Sequence, residues 1–266
     1  HEVLDAEAVA ARFPPLVTDG VAWALYTPTG GVLRAAALLE TLVADLERRA
    51  NVRLHAHRRV AAIDPAAGRV TATDGARTEG DRVLVTAGPW LADLMADLTE
   101  HARPSRQIAL DVEMEPAARA AWDGMPMVLD GVASRGSGFY AVPPVGGLAL
   151  KIGDHSFSLA GHPDHDRLPS ADERARILDL ARRGLRHGGD LRVLDARSCF
   201  YTVAPEERFV AHERGRTLVL TGFSGHGFKF GALVGDMVGR WLDARVTTAD
   251  LARWLAGDDP SLPART

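Results

Sequence analysis

The stretch from Thr217 to Leu242 constrains the fold of this chain more than any other. It reads T-L-V-L-T-G-F-S-G-H-G-F-K-F and continues G-A-L-V-G-D-M-V-G-R-W-L. Thr217–Thr221 is a short β-branched, apolar run and predicts a buried strand. Gly222, Gly225 and Gly227 then break the pattern, after which Leu233, Met237 and Trp241 recur at helical spacing. Strand, glycine loop and helix in succession aim free backbone N–H groups and a positive helix end at an electron-rich ligand. Phe223, His226, Phe228 and Lys229 add aromatic, titratable and cationic groups to that loop. The alternative is an ordinary strand-to-helix turn whose glycines serve backbone geometry alone. Gly231, Gly235 and Gly239 share one helix face, where glycine weakens a helix, and point to close approach of another backbone, for which the chain offers no obvious partner; surface tolerance is the alternative.

Upstream, Asp5–Phe13 predicts a short helix stopped by Pro14-Pro15. Val21–Tyr26 predicts a strand. Leu38, Leu39, Leu42, Val43 and Leu46 form one apolar stripe and predict a helix over Leu33–Arg49. Val52–His57 and Arg59–Ile63 read as strand pieces, and Arg69–Thr73 as a strand turned by Asp74-Gly75. Arg82–Thr86 predicts another buried strand, which Ala87-Gly88-Pro89-Trp90 turns into a helix over Leu91–Leu98. From Ile108 to Ile152 the texture changes: Ile108–Met114, Met127–Leu129, Gly138–Val142 and Leu148–Ile152 predict short strands of a mostly antiparallel sheet. Gly161–Pro169 reads as a polar loop, and Ser170 with Glu173 as a capping box for the helix Ala171–Arg183. Arg197–Thr202 and Arg208–His212 return to strand, and a helix over Thr248–Leu255 precedes a Pro-rich tail. The order predicts an α/β part combined with an α+β part.

A formal net charge of −4 and the lack of a basic run argue against a nucleic-acid partner. No apolar run approaches membrane-spanning length and no signal peptide is visible, so the expectation is a cytoplasmic protein without a membrane partner. Cys199 is the only cysteine, which excludes a disulfide within the chain and a four-cysteine metal site. With 266 residues there is room for two domains.

Several residues are candidates for chemistry. Cys199 sits in R-S-C-F-Y-T. A lone cysteine is most often packing, and a nucleophilic one needs a depressed pKa. No G-x-S-x-G turn supports a hydrolase. His162, Asp164, His165 and Asp166 are metal-ligand types, but their Pro-bounded loop has no helical histidine pair, so a solvated loop without metal is expected. Lys151 is embedded in L-A-L-K-I, where an ammonium costs free energy unless it is paired or functional. In a strand it shares a face with Ala149, while Leu148, Leu150 and Ile152 take the other. Snorkelling from an edge strand is the alternative. Tyr140 lies in the strand G-F-Y-A-V-P, where core packing is the simpler role.

Four segments, in order, resemble the monomeric sarcosine oxidase family of flavin-dependent amine oxidases, which includes the N-methyltryptophan oxidases. They are T-A-G-P-W at Thr86–Trp90, G-F-Y-A-V-P through L-K-I-G-D-H at Gly138–His155, C-F-Y-T at Cys199–Thr202, and G-F-S-G-H-G-F-K-F at Gly222–Phe230. The resemblance implies a partial, Rossmann-like FAD-binding domain (residues 31–104 and 208–266) interleaved with an antiparallel-sheet substrate domain (1–30 and 105–207). It implies FAD held covalently through Cys199. Val60, Thr86, Ala87, Gly88, Trp90, Phe223, Gly225, His226, Gly227, Phe228 and Lys229 would line the cofactor. Lys229 would also bind the substrate carboxylate, Lys151 would activate O2, and His155, Tyr140, Tyr201 and His226 would shape the substrate pocket. The implied reaction oxidises a secondary amino acid and returns H2O2, in an enzyme that is monomeric when full length. No strand followed by G-x-G-x-x-G opens the chain, and Gly225-x-Gly227-x-x-Phe230 has Phe where the third glycine belongs. The expectation is therefore a fragment lacking that βαβ unit and inactive by itself. A flavin dehydrogenase of the same superfamily, or an interaction module that no longer binds flavin, are the competing readings.

Overall fold

In a computed structural model of the chain, residues 1–258 are described except Ala133, Arg135, Ser137 and Asp166. The expected Pro-rich tail (259–266) and Asp166 thus lie outside the described residues. In chain order the first strands are β1 (Glu2–Leu4), β2 (Ala24–Tyr26), β3 (Val60–Asp64), β4 (Arg69–Ala72), β5 (Arg77–Glu79) and β6 (Val83–Val85). They are followed by β7 (Arg103–Glu113), β8 (Val128–Asp130), β9 (Phe139–Val142), β10 (Leu150–Asp154), β11 (Arg192–Val203), β12 (Val210–Arg214) and β13 (Thr217–Thr221). The helices are α1 (Ala6–Arg12), α2 (Ala35–Glu47), α3 (Leu91–Leu94), α4 (Pro116–Ala120), α5 (Ala171–Gly184), α6 (Gly227–Leu242) and α7 (Thr248–Ala256). The chain forms two compact units. One comprises His1–Val32, Arg106–Ser158 and Pro163–Cys199, the other Leu33–Ser105, Leu159–His162 and the chain from Phe200 onward.

The first unit is built on the sheet β11-β7-β10-β9-β8. Ile152 of β10 stands opposite Leu110 of β7 and Ala141 of β9, both in antiparallel register. Alternation along these strands sends Leu150, Ile152, Leu110, Val112, Phe139 and Ala141 to one face, where they are buried together with Ile177, Leu180 and Ala181 of α5. Each such large side chain contributes roughly 1.5–3 kcal/mol on burial. Gly184 ends α5 where a Cβ would lie 2.1 Å from the Phe139 ring, so glycine permits this close seat. The expected capping box is present: Ser170 Oγ accepts from the Glu173 N–H and Glu173 Oε2 accepts from the Ser170 N–H. Arg106 also donates to the Glu173 carboxylate.

The second unit carries the sheet β12-β13-β6, with β6 parallel and β12 antiparallel to the central β13. All of β13 is buried, as its β-branched sequence predicts. Leu218 and Leu220 pack with Val234, Met237, Val238 and Trp241 of α6 and with Leu251 and Leu255 of α7. Val219 faces the other way, into Val85, Leu91, Met95 and Leu98. A separate sheet, β3-β4-β5, folds around the expected Asp74-Gly75 turn, with Gly75 at φ 84°.

Some expectations change. Residues 52–57 form turn and coil rather than a strand: the Val52 N–H closes a turn onto the Arg49 carbonyl, and His57 is left-handed at φ 58°. The strand over 21–26 shortens to β2. The helix over Leu91–Leu98 breaks at Met95, whose φ of −147° leaves α3 and one short 3-10 turn. The polar β5 and the short α4 escaped notice because neither has an apolar period. The α2 stripe finds no core: no residue of that helix is buried, and Leu38, Leu39, Leu42 and Val43 stand exposed. Gly231, Gly235 and Gly239 have nothing within 4 Å of a Cβ position, so none of the described residues approaches that helix face closely. Among the described residues no helix is long and apolar enough to cross a membrane.

The Arg106 hydrogen bonds, first, and then the Ser170 N–H hold the Glu173 carboxyl down from 4.5 to about 2. A depressed carboxyl stabilises the fold fully above about pH 4.5 and loses that contribution as pH falls toward 2. Glu173→Ala is expected to cost about 1–2 kcal/mol at pH 7, a range discounted for partial solvent screening. In urea titrations across pH, the variant should show less loss of stability than the parent below pH 4.5. Parallel pH curves would remove Glu173 as the cause.

Candidate functional site

Within the second unit, the glycine loop after β13 is tied to the end of β11. Gly222 turns the chain at φ 70°, and a Cβ there would lie 2.8 Å from that of Ala204. Val203 and Phe223 form an isolated bridge. Ser224 is buried and left-handed, at φ 47°. Its N–H donates to the Thr202 carbonyl at 2.8 Å. Its Oγ accepts from the Ala204 N–H at 3.2 Å and lies 3.0 Å from the Gly222 carbonyl, to which it donates. These bonds offset a backbone conformation that a non-glycine residue avoids. Gly225, at φ 80°, lies under Tyr201, and a Cβ would come within 2.6 Å of the ring. Gly227 stands likewise against Phe223, at 2.8 Å. The glycines let aromatic rings lie directly on the backbone.

Here α6 begins. Its N-cap residue, His226, supplies no side-chain cap, and the first turn holds Lys229 but no acidic residue. A lysine at this end opposes the helix dipole, while the first-turn N–H groups find no intrahelical acceptors. Together they make a concentration of positive charge suited to an anion. A cavity of about 360 Å³ opens beside it, lined by Gly88, Pro89, Phe200, Tyr201, Thr202, Phe223, Gly225, Gly227, Phe228, Gly231 and Val234. Of the residues expected from sequence, it gathers Gly88, Tyr201, Phe223, Gly225, Gly227 and Phe228. Thr86, Ala87 and Trp90 flank Gly88 in the turn after β6 without lining the cavity, and Val60 lies opposite Ala72 in the β3–β4 pair. His226 Nε2 is 2.9 Å from Glu207 Oε2, and His226 Nδ1 is 3.4 Å from Lys229 Nζ.

The remaining expected residues belong to the first unit. β10 is an interior strand, so Lys151 does not snorkel from a sheet edge. It stands opposite Asp111 and Val142, on the face away from the buried Leu150 and Ile152. Its ammonium is 5.7 Å from the Tyr140 ring centre. Tyr140 in turn covers Gly153, where a Cβ would sit 2.6 Å from the ring. Arg197 of β11 donates to Asp111, which brings β11 side chains to the same face. Cys199 is the last residue of this unit. Burial pushes its thiol upward, opposed first by the Lys151 charge and then by Arg197. His155 follows β10 and lies near Phe157, with ring centres 6.4 Å apart. His162, in the second unit, pairs with Asp93 at 3.2 Å.

Sequence reasoning passed over Glu207, Ser224, Pro89 and Thr202. A serine inside a glycine loop was a usable signal for Ser224. The acidic pair Glu206-Glu207 after Pro205 gave none that spacing alone reveals.

A sheet built on a central buried strand, with an uncapped helix start and an aromatic-lined cavity beside its glycine loop, has the form of a site for an electron-rich ligand. Residues 1–241 match the family model described as FAD dependent oxidoreductase (DAO), and the chain belongs to that family. It is 27% identical over 262 residues to an N-methyl-L-tryptophan oxidase of Shigella dysenteriae, covering 94% of this chain and 67% of the relative. The N-methyl-L-tryptophan oxidase of Escherichia coli K12 is 27% identical over 263 residues, with the same coverage. In fold it resembles a modified fructosyl peptide oxidase from Aspergillus nidulans, with a TM-score of 0.75 at 20% identity, over 93% of this chain and 64% of that one. A fructosamine oxidase from Aspergillus fumigatus (Amadoriase II) aligns at a TM-score of 0.58 and 17% identity, over 71% of this chain and 48% of that one. The chain spans about two thirds of the length of these N-methyl-L-tryptophan oxidases.

Gly225→Ala adds a Cβ against the Tyr201 ring at a left-handed position. The expected cost is about 2–3 kcal/mol in chemical denaturation, with Tyr201 displaced. An unaltered midpoint would mean that the ring yields freely and is not held by this loop.

Proposed function

We propose that this chain forms the catalytic and flavin-facing part of an oxidase of secondary amino acids, of the sarcosine or N-methyl amino acid type. The observation that carries the reading is the uncapped start of α6 bearing Lys229, beside a cavity walled by glycines and aromatic rings. A flat aromatic ring system fits such walls, since Cβ atoms at Gly225 and Gly227 would obstruct the stacking that the rings of Tyr201 and Phe223 now take up. The positive helix end suits the anionic charge that a flavin ring acquires on reduction. Bound FAD would supply the redox chemistry, taking the hydride equivalent of the C–H bond beside the amine nitrogen as the N–H proton is lost and the substrate becomes an imine, with the electrons passing on to O2 to yield H2O2. The chain's own residues bind, orient and polarise.

In this reading Lys229 holds the substrate carboxylate, its ammonium acting as a point charge at the helix start. Tyr140, Tyr201, His155 and His226 bound the amine. Lys151 stabilises the charge that develops on oxygen as it is reduced. The partial burial of its strand keeps that charge from being screened by water. Cys199 is the site of covalent attachment. Its neutral thiol must first lose a proton, and the nearby Lys151 and Arg197 charges favour that loss against the burial that opposes it. The unit containing β13 and α6 is then the FAD-binding part and the unit containing β10 the substrate part. The fold and the oxidase names of the relatives support this reading over a dehydrogenase or a flavin-free interaction module.

In the flavin-loaded protein, Cys199→Ser is expected to release flavin on acid precipitation where the parent retains it; retained flavin would sink the covalent assignment. Lys229→Met should raise KM for a carboxylate-bearing secondary amine roughly 10–100-fold, with a smaller change in kcat. Stopped-flow mixing with O2 should find reoxidation slowed about 100-fold or more by Lys151→Met, with substrate oxidation little altered. Unchanged reoxidation would favour a dehydrogenase.

A further inference from the structure

We infer that Glu207 is a positioning residue: it fixes the proton and orientation of His226, and through His226 it aims the Lys229 ammonium. The geometry of three groups in the second unit carries this. Glu207 Oε2 is 2.9 Å from His226 Nε2, and Lys229 Nζ is 3.4 Å from His226 Nδ1. An ionised carboxylate only accepts and an ammonium only donates. The one consistent arrangement has Nε2–H donating to Glu207 and a bare Nδ1 accepting from Lys229. In that arrangement the imidazole ring is a spacer between the two charges. Because His226 is the N-cap of α6 and Lys229 lies three residues on, the relay sets where a cation sits at the mouth of the helix.

The backbone supplies an independent observation. Glu206 and Glu207 are consecutive left-handed residues, at φ 53° and 57°. Glycine or asparagine occupies such positions at lower cost, so two glutamates there require a use for the side chains. Glu206 has one in its ion pair with Arg208, at 3.1 Å. Glu207 has His226. The turn is held from behind by the Glu207 N–H to the Ala204 carbonyl, 3.0 Å, and Ala204 is itself bonded to Ser224 of the glycine loop. Glu207 and His226 are thus presented by two segments tied to each other, and their pairing needs no reorganisation when a ligand arrives.

The value of this arrangement to catalysis rests on the proposed role of Lys229, but the arrangement itself is testable in the chain alone. With 15N-labelled histidine, and His226 assigned by His226→Asn, the parent is expected to show His226 with Nε2 protonated and Nδ1 bare. In Glu207→Gly the tautomers should mix and the Nε2 proton should exchange with solvent about tenfold faster, the effect of losing one charge-assisted hydrogen bond. Glu207→Gln, which still offers an acceptor, should keep the parent tautomer. Glu207→Gly also relieves the left-handed backbone, so it should melt at the parent temperature or above. A merely structural Glu207 would instead give a lower melting temperature. That result, or an unchanged tautomer and exchange rate in Glu207→Gly, overturns the inference. Acetate titration separates the two ideas. If His226 responds to Glu207→Gly as described while Lys229→Met binds acetate as the parent does, the positioning stands and carboxylate capture by Lys229 falls.

Discussion

The hydrogen bond from the Ser224 N–H to the Thr202 carbonyl, at 2.8 Å, is the interaction on which the candidate site depends. It joins the end of a strand to a glycine loop that by composition should be mobile. With Ser224 Oγ bridging the Ala204 N–H and the Gly222 carbonyl, the loop gains three bonds from one buried residue. The net worth of each is about 1 kcal/mol, enough together to offset a left-handed serine. Because this stitch fixes β11 against the loop, Tyr201 meets Gly225 and Phe223 meets Gly227 at ring-to-backbone distance. Cavity shape is therefore a consequence of backbone hydrogen bonding, with the glycines as the condition that allows it.

Charge follows the same logic. A helix usually places acids in its first turn, and α5 and α7 do so with Glu173 and Asp250 inside capping boxes. The first turn of α6 has neither a side-chain cap nor an acid, and it carries a lysine instead. The contrast within one chain separates helix starts whose N–H groups are capped by their own side chains from one that has no such cap. Glu207 holds its negative charge on the far side of His226 from Lys229, so the helix end itself is left unoccupied.

Legibility from sequence tracked how local the cause was. β13 was readable because five consecutive β-branched or leucine residues favour an extended, buried run, and the α5 capping box because Ser170 and Glu173 carry out its chemistry within one turn. The family's motifs pointed to Gly225, Gly227, Tyr201 and Phe223, which the fold brings to one cavity. What escaped depended on segments distant in sequence. The Glu207–His226 pair joins residues 19 positions apart across a turn whose left-handed glutamates no propensity predicts. Leu233 had the spacing of a core residue but lies exposed, because Val234, one position on, takes the packing role. A periodicity resolves a face only to within about one residue, or 100°.

That one-residue shift has a functional reading. The buried residues of α6 are Val234, Met237, Val238 and Trp241, so the helix is anchored to the core from its second half onward. Its first two turns, from Gly227 to Leu233, contribute nothing buried to that core. A helix held at one end can keep its other end rigid through intrahelical bonds while presenting it to a ligand, since each added residue extends an existing ladder and needs no new nucleus. The strained residues Glu206, Glu207 and Ser224 sit at or next to this unanchored end, in segments bonded to each other, and none lies in the packed half. Packing and exposure are thus divided along a single helix: the contacts of Leu218 and Leu220 with Val234, Met237, Val238 and Trp241 secure one half, and the other half is carried on that anchored ladder beside the cavity.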